Sequence, residues 1–150
     1  MRDVLARQIR QPDGVIFLGD GVRDADSIEG ELPWYTVRGN CDLFLSDRPE
    51  EIVMALEGHV LFLSHGHRYG VKGGIGALLS RAAEVDADIV MFGHTHVPMQ
   101  QVIDAGSTIG GTVTKRPIYL FNPGSIGGFD GSFGTLTLNR QTVFFSHGTR

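Results

Sequence analysis

A chain of 150 residues, 41% hydrophobic and 20% charged, is long enough for one domain with a buried core and too apolar to be disordered. A formal net charge of -4, with scattered Arg and Lys, speaks against a nucleic-acid-binding surface. The single cysteine, Cys41, excludes an internal disulfide framework, no apolar stretch reaches the length of a membrane span, and a reducing cytoplasm is the expected compartment.

The first fourteen residues carry no hydrophobic signal core. Within residues 2–10, Val4, Leu5 and Ile9 recur at helical spacing, and Gln11-Pro12-Asp13-Gly14 ends the helix with a turn. Val15–Leu18 is a continuous apolar run, as expected of a parallel strand covered on both faces. It runs into Gly19-Asp20-Gly21, and residues 22–30 read as a short helix or loop. Trp34–Val37 is a second strand, ending at Arg38-Gly39-Asn40-Cys41-Asp42.

Glu51–Leu56 and His59–Leu63 read as a hairpin around Glu57-Gly58, the second strand ending at Ser64-His65-Gly66-His67. Ile75, Leu78, Leu79, Ala82 and Val85 predict a helix over 74–85. Asp88–Phe92 predicts a buried strand that stops at Gly93, where glycine's backbone freedom would let the chain bend. In the loop that follows, His94 and His96 are expected to converge while Thr95 points away. Four β segments follow, at 97–103, 112–121, 133–138 and 141–146, with Asn122-Pro123-Gly124-Ser125 at a strand end. The order predicts α/β passing into antiparallel β, as two mixed sheets packed face to face and flanked by helices, in one domain over 1–150.

The chemistry lies in what ends those strands. Asp20, Asn40, His65, His94 and His96 each follow an apolar strand by a few residues that include glycine. In open α/β sheets, ligands gather at the carboxyl ends of the strands. Five oxygen or nitrogen donors on one such edge point to divalent metal, and the lack of clustered thiolates speaks against a structural zinc or iron–sulfur site. Mixed N/O ligation suits manganese, iron, zinc or nickel. Taken singly, each residue also has a structural reading: Asp20 as a helix cap, Asn40 as a turn residue, His65 and His67 as an exposed loop, Ser125 as a turn holder. Cys41 reads as a small packed side chain, and His59 and His147 as structure or surface.

Gly19-Asp20, Gly39-Asn40-Cys41-Asp42, His65-Gly66-His67, Gly93-His94-Thr95-His96 and Asn122-Pro123-Gly124-Ser125 together resemble the calcineurin-like metallophosphoesterases. The likeness is to the small bacterial and archaeal phosphodiesterase branch, related in fold to the retromer subunit. The resemblance implies a sandwich of two mixed sheets with a two-metal centre at the strand ends. It implies that Asp20 bridges the metals, that Asn40, His65 and His94 hold one ion, and that His96 helps hold the other. Manganese is the expected metal, with iron, zinc or nickel as alternatives.

The departures also carry expectations. Relatives begin with a strand ending in an Asp-x-His motif, which this chain lacks before its first glycine-rich loop. The domain is therefore expected to be N-terminally incomplete, one metal site weakened, and the Val15–Leu18 edge a template for a homodimer. Many relatives carry a histidine, the leaving-group acid, where this chain has Cys41. The expected reaction is hydrolysis of a phosphodiester, with phosphomonoesters as an alternative, by a metal-bound hydroxide at the dinuclear centre. Asn40 and Cys41 are expected to contact a small-molecule or nucleotide substrate, and His67 to assist the leaving group or orient His65. The alternative is a catalytically weak or inactive interaction scaffold of the same fold.

Overall fold

The computed structural model describes all residues except 9, 29, 31, 44–46 and 128–129. Its first half runs α1 (Arg2–Ala6), β1 (Val15–Phe17), α2 (Val22–Asp26), β2 (Trp34–Thr36), β3 (Glu51–Leu56), β4 (His59–Ser64) and a 3-10 turn at His67–Tyr69. Then follow α3 (Gly76–Glu84), β5 (Ile89–Phe92), β6 (Met99–Ile103), β7 (Thr108–Ile109), β8 (Thr112–Val113), β9 (Ile118–Asn122), β10 (Ser132–Asn139) and β11 (Thr142–Thr149). Among the described residues no helix is long and apolar enough to cross a membrane.

The frame is a five-stranded mixed sheet in the order β3-β4-β5-β9-β6. β4, β5 and β9 lie parallel, with antiparallel β3 and β6 at the edges. Alternate side chains of the parallel strands enter two different cores, as a pleated strand covered on both faces requires. Phe62, Val90, Phe92 and Leu120 pack with Leu78, Leu79 and Ala82 of α3. Leu61, Leu63, Ile89, Met91 and Phe121 face the other way, against Leu18, Val37 and Phe145. Each fully buried Leu, Ile or Phe is worth about 1.5–3 kcal/mol relative to exposure, so these strands hold the site's frame.

Two smaller sheets cover that second face. One is the hairpin β10-β11, whose Phe145 stacks on Phe121 with ring centroids 4.4 Å apart. The other is the parallel pair β1-β2, in register Val15↔Trp34 through Phe17↔Thr36. The mixed α/β class and the layered packing agree with the sequence-based expectation.

Several boundaries differ. The first helix closes at Ala6, and Ile9, its third expected apolar position, lies outside the described residues. β1 is half-buried rather than covered on both faces, and β2 is its one strand neighbour among the described residues. The expected strand over 112–121 is two elements, because Gly110-Gly111 turns β7 back on β8 and Pro117 precedes β9.

A candidate metal centre at the strand ends

The parallel strands deliver their carboxyl ends to one edge. β4 ends at Ser64 and puts His65 there; β5 ends at Phe92 and is followed by Gly93 and His94; β1 leads through Leu18 and Gly19 to Asp20. Asp20, His65 and His94 each offer a ligand atom, and these atoms lie within 4.8 Å of one another.

His65 is 2% exposed. Its Nδ1 lies 2.6 Å from the Leu18 carbonyl. A carbonyl only accepts, so Nδ1 carries the proton and Nε2 of the neutral ring offers a lone pair. That Nε2 stands 3.3 Å from Oδ2 of Asp20 and 3.1 Å from Nδ1 of His94. Donors held at about 2.1 Å by one transition-metal ion, at angles of about 90° to 110°, lie roughly 3.0–3.4 Å apart. A proton can satisfy a pair of these atoms; a divalent cation satisfies all three.

The backbone is bent to make the cluster. Asp20, His94 and His96 have φ of 59°, 64° and 59°. Left-handed backbone at non-glycine residues is costly and gathers where function requires a particular aim. The turn expected at Gly93 is thus made by the histidines. Gly93 packs beside the Leu18 carbonyl, where an added Cβ would meet it at ordinary contact distance, 3.4 Å. Gly39 serves by close approach, because a Cβ on it would strike the Asp20 carboxylate.

Asn40 and Cys41 border the cluster. The Cys41 amide donates to Oδ1 of Asp20 at 2.8 Å, and the Asn40 amide donates to the Cys41 sulfur at 3.3 Å. Both side chains are exposed. The Asp20 carboxylate pushes the Cys41 thiol pKa up, first by hydrogen bonding and then by its charge, which keeps the thiol protonated at neutral pH. His67 stands against the trio, its ring centroid 5.4 Å from that of His65 and 6.2 Å from that of His94. Its Nδ1 is buried without a hydrogen-bond partner among the described residues. Burial, then the neighbouring His65, lowers the His67 pKa; burial, then the Lys72 ammonium, lowers that of His94. His96 is exposed and stands outside the trio, while Thr95 turns away and accepts from Asn122 Nδ2 at 3.0 Å.

Sequence reasoning gives no role to two residues central to the site. Asp42, 6% exposed, accepts backbone N–H bonds from Asp20, Gly21, Val22 and Gly39 at 2.8, 2.9, 3.1 and 2.8 Å. Burial alone would raise its pKa, but these four bonds hold it below the usual carboxylate range. Asn122, fully buried, donates to the Gly93 carbonyl and to Thr95, and its Oδ1 accepts the Gly124 amide at 2.9 Å. The one signal in the sequence is the place of each near a glycine, Asp42 after Gly39-Asn40-Cys41 and Asn122 before Pro123-Gly124. His59 lies elsewhere and pairs with Asp88 at 2.7 Å, while His147 has a structural place, stacked on Phe121 with Nε2 2.7 Å from the Asn122 carbonyl.

Comparison with known proteins agrees with this geometry. The model of the calcineurin-like phosphoesterase superfamily domain matches residues 1–142. The chain is 29% identical over 126 residues to the probable metallophosphoesterase YsnB of Bacillus subtilis, covering 84% of this chain and 66% of that protein. It is 33% identical over 112 residues to the phosphodiesterase YfcE of Escherichia coli, covering 67% of this chain and 50% of that protein. The chain thus spans about half to two-thirds of the length of the curated relatives it matches. In fold it is similar to a mutant form of Vps29 from Entamoeba histolytica, with a TM-score of 0.72 and 22% identity over 100% of this chain and 89% of that one. With donors converging where the strands end and a family match along nearly its whole length, this chain belongs to the calcineurin-like phosphoesterase superfamily, a metal-dependent family of hydrolases.

Proposed function

We propose that the protein hydrolyses phosphodiesters with divalent metal, and that Asp20, His65 and His94 form the core of the metal centre. The observation that carries this reading is the meeting of three ligand atoms, with Nε2 of His65 3.1 Å from Nδ1 of His94 and 3.3 Å from Oδ2 of Asp20, and the His65 ring fixed by the Leu18 carbonyl. Asn40, on the same edge, completes the ligand set, and His96 serves a second ion together with Asp20. Manganese suits this mixed N/O set, and iron, zinc and nickel suit it as well.

When bound, the metal supplies Lewis acidity toward the phosphoryl oxygens and activates a water. The chain's own residues do the rest. Oδ1 of Asp20 is engaged by the Cys41 amide, which leaves Oδ2 for the metal side. His65 presents Nε2 and His94 presents Nδ1. Asn40 and Cys41 form the exposed rim that meets the substrate, and the protonated Cys41 thiol adds no negative charge there. His67, whose neutral ring is favoured by burial, stands on the leaving-group side and donates a hydrogen bond to the departing oxygen. The names of YsnB and YfcE support a phosphoesterase, and the second supports the diester.

The test is hydrolysis of an aryl phosphodiester with added manganese, before and after chelation, in the wild-type chain and in His94→Ala. The expected result is slow turnover that chelation abolishes and His94→Ala lacks. Turnover that survives the chelator would overturn the mechanism. Metal binding without turnover would favour the scaffold reading instead.

A further inference from the structure

Gly19, Asp20 and Gly21 all have positive φ, at 89°, 59° and 102°. Successive backbone N–H groups of a tight turn can converge on one point and make an anion-binding concavity. Here the anion is internal. The carboxylate of Asp42 takes the amides of Asp20, Gly21 and Val22 from this loop and the amide of Gly39 from the loop after β2. Oδ2 joins Asp20 to Gly39, and Oδ1 joins Gly21 to Val22. One buried side chain therefore fastens the turn that carries Asp20 to the turn that carries Asn40.

The fastening acts on the side-chain aim of Asp20. Its φ of 59° is one that aspartate seldom takes without local hydrogen bonds. Asp42 supplies such a bond to the amide of Asp20 itself, at 2.8 Å. Gly19 and Gly39 are in such close contact that a Cβ on Gly19 would lie 2.8 Å from the Gly39 Cα. The two loops share one small space, and Asp42 closes it from the inside.

We infer that Asp42 is the positioning residue of the metal centre: it holds Asp20 in its left-handed conformation and sets the spacing between the Asp20 and Asn40 loops. This rests on the metal-centre reading above. Outer-shell partners of this kind are worth about 10–100-fold in metal affinity. Replacing one carboxylate oxygen by an amide N–H₂ in Asp42→Asn sets donor against donor at two of the four bonds.

The experiment compares manganese binding by calorimetry in the wild-type chain, Asp42→Asn and Asp88→Asn, with backbone carbon shifts of residue 20 read by NMR. Asp88 is an equally buried carboxylate at the opposite end of the sheet, accepting from Val60 N and His59. The expected result is a loss of about 10–100-fold in affinity for Asp42→Asn, with residue 20 leaving the left-handed region, and unchanged affinity for Asp88→Asn. Unchanged affinity and shifts in Asp42→Asn, or an equal loss in Asp88→Asn, would overturn the inference. If the wild-type chain takes up no manganese, the metal reading falls, and the residue 20 shifts alone decide the role of Asp42. Should Asp42→Asn not fold, hydrogen exchange on the wild-type chain decides. The amides of Asp20, Gly21, Val22 and Gly39 should exchange slowly and together, and free exchange of any of them would overturn the assignment.

Discussion

The proton on Nδ1 of His65 is committed to the carbonyl of Leu18, 2.6 Å away. That bond reaches from the end of β4 to the end of β1, and it determines which nitrogen of His65 faces Asp20 and His94. A main-chain oxygen thus fixes the tautomer of a candidate ligand, the arrangement that metal-bound histidines commonly need.

The contact between Gly39 and Asp20 leaves no room for a methyl group. Gly39→Ala should displace the Asp20 carboxylate and weaken divalent-metal binding by about 10–100-fold, as loss of an outer-shell support does. The variant should still fold, because the main sheet lies elsewhere. Metal titration beside far-ultraviolet circular dichroism checks this. A folded Gly39→Ala that binds metal like wild type would contradict it.

Asn122→Ala should loosen the loop that carries His94. The side chain donates to two acceptors and accepts from one amide in a fully buried setting. Unpaired buried groups of this kind cost about 1–3 kcal/mol, or roughly 2–12 °C in Tm for a chain of this size. Thermal denaturation measures the shift. A Tm unchanged from wild type would show that Asn122 is not holding the loop.

Away from the site, Glu51 accepts from Arg81 Nη2 at 2.7 Å and from the Tyr69 hydroxyl. These bonds, that of Arg81 foremost, hold the Glu51 carboxyl below the usual glutamate range, while burial and Glu51 push Tyr69 up to about 12. Since the folded pKa lies below the unfolded one, the stabilisation is complete above the unfolded value of about 4.3 and is lost as pH falls through the folded value. Glu51 and Arg81 are 34% and 35% exposed, so solvent screening keeps the effect small. The stability gap between wild type and Glu51→Gln should be present at neutral pH and close in acid. A gap that widens in acid would contradict the sign.

β1 has a strand neighbour on one side among the described residues, and an unpaired strand edge is a template for another chain. The protein should therefore self-associate as its concentration rises. Light scattering across a concentration series reads this directly, and a monodisperse monomer throughout would mean that the edge is covered.

The parts of this molecule legible in the sequence are those written as local pattern. Continuous apolar runs mark β4 and β5, because both faces of those strands are covered. The rule that ligands gather at strand ends brings Asp20, His65 and His94 to one edge. What stays hidden depends on contacts distant in the chain. An apolar run does not say how fully a strand is covered, which is why β1 reads as covered on both faces and is half-buried. A buried Asp or Asn needs partners without naming them, so Asp42 and Asn122 look like ordinary turn chemistry. Glycine adopts left-handed backbone most readily, which points to Gly93; tertiary contacts place that backbone one and three positions later, at His94 and His96.

The central claim is that one divalent ion sits among Asp20, His65 and His94. An anomalous-difference map from crystals of the wild-type chain grown with manganese, recorded near the manganese edge, tests it most directly. A peak within about 2.0–2.4 Å of Oδ2 of Asp20, Nε2 of His65 and Nδ1 of His94, absent in His94→Ala, is the predicted result. A map with no peak among these three atoms at full manganese loading, or with peaks only elsewhere on the chain, would contradict it.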